Sequence, residues 1–213
     1  MPRSLKYYTH TKESQASLSP ERALELLQLG NQRFLDGDII ERSYEDQIRL
    51  TTSGQYPFAV ILSCIDSRIP VEIVFDQGIG DIFNARIAGN FINRDILGSM
   101  EFACKLAGAK LVVILGHSSC GAVKGACDHA ELGNLTAMLD NIKPALEKVK
   151  TDDGVDRSSK NISFVDQVAV ENVHIAIDEL KNNSPVLEEM RKAGEIDVVG
   201  AMYDVASGSV RFL

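Results

Sequence analysis

Three residues with chemically active side chains fall on alternate positions in ILSCIDSRIP, residues 61–70: Cys64, Asp66 and Arg68. A cysteine there can act as a thiolate ligand, and an aspartate as an acceptor or ligand. An arginine two residues on can be the cation that holds the carboxylate in place. A second group lies in GHSSCG, where two serines separate His117 from Cys120. Zinc favours thiolate sulfur and imidazole nitrogen in a tetrahedron, so Cys64, His117 and Cys120 form a candidate metal site. Asp66 or a water would take the fourth position, and an open fourth position marks a catalytic zinc rather than a structural one. Taken singly, each motif has an ordinary alternative: Asp66 and Arg68 a turn salt bridge, the cysteines plain core thiols. Their joint placement carries the metal reading.

That placement depends on the elements around them. YPFAVILS is a short run of strand formers ending at Cys64; DIFNARIA reads as a second strand and AKLVVILGH as a third, ending at His117. RDILGSMEFACKLAGA, between the last two, fits one helix through Ile96, Leu97, Met100 and Cys104. After GHSSCG the chain turns helical to about Lys150, and the spacing of three between His117 and Cys120 reads as a first helical turn. A polar loop, TDDGVDRSSKN, precedes a long helix striped by Val165, Val168, Asn172, Val173, Ala176 and Leu180. IDVVGAMYDVASGSVRFL gives a strand, a Ser-Gly turn and a last, antiparallel strand. Near the start, Ser19-Pro20-Glu21 opens a helix over 19–37, and residues 1–18 are expected to be a loose arm. The expected fold is α/β: one domain over 1–213, with a mostly parallel sheet, an antiparallel edge strand, flanking helices and a helical N-terminal arm. Such sheets bind ligands beyond the carboxyl ends of their strands, at a switch point, which is where Cys64 and His117 fall.

Composition narrows the function classes. The 213 residues carry a net charge of -8 and are 45% hydrophobic and 24% charged. An acidic chain is a poor nucleic-acid or anionic-membrane surface. No apolar run approaches the roughly 20 residues that span a bilayer, and the N-terminus has no secretory h-region, so a cytoplasmic protein is expected. Four cysteines without such a leader read as thiols or metal ligands rather than a disulfide framework. Cys127 lies seven residues beyond Cys120, about 10.5 Å along one helix, too far to share its metal. Cys104, beside Met100 on an apolar face, reads as a buried structural thiol, and His129 and His174 as surface or satisfied helix residues. DQGIGD holds a G-x-G but precedes a strand rather than linking strand to helix, so a dinucleotide site is rejected.

With these residues in hand, the chain resembles the β-carbonic anhydrase family over nearly its whole length, most strongly from about Gln55 to Gly125. CIDSR matches the family's C-x-D-S-R segment and GHSSCGAV its G-H-x-x-C-G segment. The resemblance implies one zinc ion held by Cys64, His117 and Cys120, with Asp66 and Arg68 as a carboxylate–guanidinium dyad. It implies CO2 hydration to bicarbonate and a proton through a zinc-bound hydroxide. Asp66 would accept the hydrogen of that hydroxide and aim its lone pair at CO2. Arg68 would keep Asp66 ionised and off the metal; if the pair opened, Asp66 could close the fourth position. Two thiolates and one imidazole leave such a zinc site neutral, so its water is harder to ionise than the pKa of about 7 of a three-histidine site.

Gln55, Phe83 and Gly121 match substrate-pocket positions of the plant-like, open-site branch. Ala88 stands where that branch has valine, and Phe102 where it often has a pocket tyrosine. The chain has no Trp, so the regulatory pocket of the bicarbonate-inhibited branch cannot be built. The resemblance further implies a homodimer or dimer of dimers, with the partner subunit completing the pocket. Two alternatives stay open: a carbonyl sulfide or carbon disulfide hydrolase on the same ligands, and a zinc-binding protein without turnover.

Overall fold

A computed structural model describes residues 9–213. The N-terminal elements are α1 (Lys12–Ala16), α2 (Pro20–Asp36) and α3 (Tyr44–Thr51). Helix α2 forms where its caps demand. The Ser19 side chain accepts from the Arg22 N–H, Pro20 sits in the first turn, and Gly37 ends the helix with a left-handed φ of 69°. The expected loose arm over 1–18 is instead helical at Lys12–Ala16. Residues 1–8 lie outside the described residues, but α1 is capped by Thr11 and docked by Gln15, which is buried and donates to the carbonyls of Pro57 and Ala107.

The sheet elements follow as β1 (Ala59–Ser63), α4 (Val71–Val74), β2 (Ile82–Arg86), α5 (Arg94–Glu101) with a π-helical turn at Phe102–Leu106, and β3 (Leu111–His117). Then come α6 (Gly121–Cys127), α7 (Gly133–Leu139), α8 (Lys143–Lys148), α9 (Ile162–Asn183), α10 (Pro185–Lys192), β4 (Asp197–Tyr203) and β5 (Val210–Phe212). The five-stranded sheet runs β2-β1-β3-β4-β5, parallel except for the β4–β5 pair. β1 and β3 are buried along their full length, as central parallel strands covered on both faces must be. One face packs Ala59, Ile61, Leu111, Val113 and Leu115 against α2, α4, α6 and α8; the other packs Val60, Leu62, Val112 and Ile114 under α5 and α10.

Two expectations change in detail. The helical stretch expected to about Lys150 consists of three short helices, and His129 and Gly133 take left-handed backbone where α6 gives way to α7. The helix over 94–106 shifts register at the π-helical turn. The topology also locates the switch point. From β1 the chain leaves toward β2, and from β3 toward β4, so the carboxyl ends of β1 and β3 part into a crevice.

Candidate metal centre

Three ligand-type residues meet in that crevice. Cys64 directly follows β1 and His117 ends β3, the strand paired with it in parallel. Gly116, just before His117, lets α9 press onto β3: a Cβ there would lie 2.7 Å from both Met202 Sδ and Val173 Cγ2. Cys120 is the N-cap residue of α6. Helical spacing therefore does not bring His117 and Cys120 together, contrary to the sequence expectation; a tight turn through Ser118 and Ser119 does. Ser119 adopts a left-handed φ of 54°, a strained conformation for a residue with a Cβ. Its N–H donates to Asp166 Oδ1 at 2.7 Å, while Ser118 donates from N to the Tyr203 carbonyl and from Oγ to Asp204 Oδ1.

One ligand atom from each of Cys64, His117 and Cys120 lies within 4.8 Å of the others, and all three residues are buried. The two Sγ atoms are 4.0 Å apart. The histidine is pre-set as a ligand. Its Nδ1 lies 3.0 Å from the Ser118 carbonyl, which can only accept, so Nδ1 carries the hydrogen and Nε2 a bare lone pair. That Nε2 is buried and has no hydrogen-bond partner, an arrangement costly in a core unless something electrophilic faces it. The thiols point the same way. Cys120 donates to Cys64, and together with the Gly89 N–H this bond pulls the Cys64 thiol well below the usual thiol range. The same bond, with burial, pushes Cys120 up. A thiolate is the form that binds metal. Two soft sulfurs and one imidazole nitrogen fit zinc.

Asp66 and Arg68 form a bidentate pair beside this group. Arg68 Nε donates to Oδ1 at 2.9 Å, Nη2 to Oδ2 at 2.7 Å, and the Arg68 N–H to Oδ1 at 3.0 Å. These bonds hold the Asp66 carboxyl well below the usual carboxylate range. A cavity of about 270 Å³ opens next to Cys64 and Asp66, walled by Ala88, Gly121, Leu135 and Met138.

Sequence reasoning did not single out Arg86, which grips the loop from behind by donating to the carbonyls of Cys64 (3.0 Å) and Asp66 (2.7 Å). Asp166, Leu135 and Met138 also went unassigned; they come from distant segments whose packing no local pattern encodes.

The remaining expected pocket residues lie elsewhere in the chain. Gln55 is exposed and precedes β1, so the whole strand, roughly 16 Å long, separates it from Cys64. Phe83 and Phe102 stack edge to face at 6.2 Å on the other face of the sheet, beside a groove with Arg94 and Asp95. Cys104 and Cys127 are free thiols away from the cluster, pushed up by burial to about 12 and about 11. Among the described residues, no helix is long and apolar enough to cross a membrane.

Comparison with known proteins gives consistent matches. A family model described as carbonic anhydrase matches residues 59–210. A carbonic anhydrase of Mycolicibacterium smegmatis is 34% identical over 193 residues, 90% of this chain and 92% of the relative. Carbonic anhydrase 2 of Mycobacterium tuberculosis is 35% identical over 191 residues, 89% of this chain and 91% of the relative. Among solved structures, a β-carbonic anhydrase of Aspergillus fumigatus is 30% identical with a TM-score of 0.67, covering 80% of this chain and 81% of that one. A structure described among tetrameric β-carbonic anhydrases of Sordaria macrospora shares the fold at 22% identity and a TM-score of 0.67, covering 79% of this chain and 90% of that one.

Proposed function

The chain belongs to the β-carbonic anhydrase family, and from that premise we propose that it hydrates CO2 reversibly to bicarbonate and a proton, with one zinc ion per chain held by Cys64, His117 and Cys120. The observation that carries the reading is the convergence of two sulfurs and a bare imidazole nitrogen within 4.8 Å at the switch point of the sheet. A zinc ion bound there supplies a Lewis acid that makes water nucleophilic near neutral pH.

The chain's own residues do the rest. Asp66, kept ionised by Arg68, has lone pairs left to accept a hydrogen from the attacking water and so aim its oxygen. Arg86 fixes the backbone from which both Cys64 and Asp66 project. The cavity walled by Ala88, Leu135 and Met138 takes the apolar CO2. One carbon–oxygen bond forms as a C=O π bond opens, and the proton released passes to solvent.

The substrate wall is completed by a second copy. Gln55, Phe83 and Phe102 cannot reach Cys64 of their own chain, and their exposure suits contact with another, so the working unit is a homodimer or a dimer of dimers of a single 1–213 domain. Free thiols and thiolate ligands belong in a reducing compartment, so we place the enzyme in the cytoplasm. Purified zinc-loaded protein assayed in parallel on CO2 and carbon disulfide tests the reading. Fast CO2 hydration with little carbon disulfide turnover is expected; the reverse would make it a carbon disulfide hydrolase, and no turnover of either would leave a zinc-binding protein.

A further inference from the structure

Asn172 interrupts the apolar stripe of α9. It lies between Val168, Ala169, Val173 and Ala176, all buried, and is itself 2% exposed. An amide in that position is costly if left unbonded. Its Nδ2 donates at 2.8 Å to the carbonyl of Gly89, far away in sequence. The N–H of Gly89 in turn donates to Cys64 Sγ at 3.3 Å.

Only glycine fits at position 89. Its φ is 81°, and a Cβ there would lie 2.5 Å from Ile142 Cδ1 and 3.3 Å from Ala122 Cβ. The turn around it is closed by the Asn90 N–H donating to the Ile87 carbonyl at 3.0 Å. The N–H and carbonyl of Gly89 belong to successive peptide planes joined at its α-carbon, so anchoring the carbonyl plane from α9 restricts the plane whose N–H meets Cys64. A hydrogen bond to a ligand sulfur orients it and withdraws charge from it.

We propose that Asn172 is a positioning residue of the metal centre: through Gly89 it holds the N–H that donates to Cys64 Sγ, and so sets the direction and basicity of that ligand. This rests on the reading that Cys64, His117 and Cys120 hold the metal.

Cobalt(II) loaded into the full chain gives a readout independent of activity. The wild type should show an intense near-ultraviolet thiolate-to-cobalt band. Asn172→Leu, similar in size but without the donor, should move that band to lower energy. It should also weaken metal binding in chelator competition on the order of 10- to 100-fold. Val173→Ala is the control: it removes buried volume from the same helix but no bond to Gly89, so it should lower stability and leave the band in place. An unmoved band in Asn172→Leu, or an equal shift in Val173→Ala, would overturn the proposal. A wild type without any thiolate band would overturn the metal reading along with it. If Asn172→Leu does not fold, ¹¹³Cd-loaded wild-type protein answers directly. Scalar coupling between cadmium and the Gly89 amide proton, together with slow exchange of an Asn172 side-chain amide proton, is expected, and absence of either overturns the proposal.

Discussion

The carboxyl ends of β1 and β3 and the outer edge of the sheet at β2 are built on opposite plans. At the first, Cys64, His117 and Cys120 are all buried and the loops are tied down. Arg86 holds two carbonyls, Gly89 reaches Cys64, and Asp166 and Asp204 hold the Ser118–Ser119 turn. At the second, Phe102 is 52% exposed and Phe83 half-buried, with a groove rather than a lid over them. A metal ligand set tolerates little positional error, and the Cys64, His117 and Cys120 cluster proposed for that role is built within one chain. An apolar substrate wall needs only surface of the right character, and can be lent by a neighbour. On the proposed reading, the difference separates holding the metal, assigned to one chain, from completing the pocket, assigned to two.

The largest effect should come from the closed region. His117→Ala should abolish zinc binding and activity together, measured by metal analysis and stopped-flow CO2 hydration. Cys104→Ser and Cys127→Ser should keep one zinc per chain. Metal lost equally from all three variants would break the distinction between ligand and core thiols.

Arg68→Ala should come next. It frees Asp66, two residues from a ligand, while leaving the ligands untouched. Zinc should stay bound and activity should fall by roughly 100-fold or more, chiefly in kcat. Near wild-type kcat would reduce the Asp66–Arg68 pair to a turn salt bridge.

A smaller effect belongs to the open region. Gln55→Ala should keep its zinc and lose about tenfold in kcat/KM, the worth of one hydrogen bond. Hybrids of Gln55→Ala subunits with Cys64→Ala subunits sharpen the comparison. Each hybrid carries one site whose ligands come from the first subunit and whose Gln55 comes from the second. Activity should return to half the wild-type value per hybrid, and no recovery would place Gln55 outside the partner's site.

The smallest effect on activity should follow a change with a large effect on stability. Asp76 is buried, with left-handed backbone, and pairs with Arg33 and Arg42, which ties α2 and the following loop to the end of α4. Asp76→Asn leaves buried positive charge uncompensated, and should cost about 3 kcal/mol, or about 6–12 °C in Tm, with zinc stoichiometry unchanged. Metal loss below the melting transition would mean that the metal site depends on this buried ion-pair cluster.

Much of this organisation was legible in the sequence because it is written locally. β1 and β3 announce themselves as unbroken apolar runs ending in Cys64 and His117. Ser19-Pro20-Glu21 states its helix through a cap, a proline and an acid. The same grammar is present at Ser184-Pro185 before α10 and at Ser43 before α3, but these helices are only eight residues long and lack a long apolar stripe. The turn at Ser119 was misjudged because a spacing of three suits both a helix and a tight turn. The choice is made by Asp166, 47 residues away. Arg86 and Asn172 escaped assignment for the same reason: their partners are backbone groups, which carry no sequence signature.

Zinc K-edge absorption on the full-length, zinc-loaded chain, with CO2 hydration measured on the same sample, tests the central claim most directly. The expected shell is two sulfurs, one nitrogen and one lighter oxygen ligand at one zinc per chain, with hydration lost on chelation and restored by zinc. A shell of oxygen ligands alone, or of four sulfurs, or full hydration activity after the metal is removed, would contradict it.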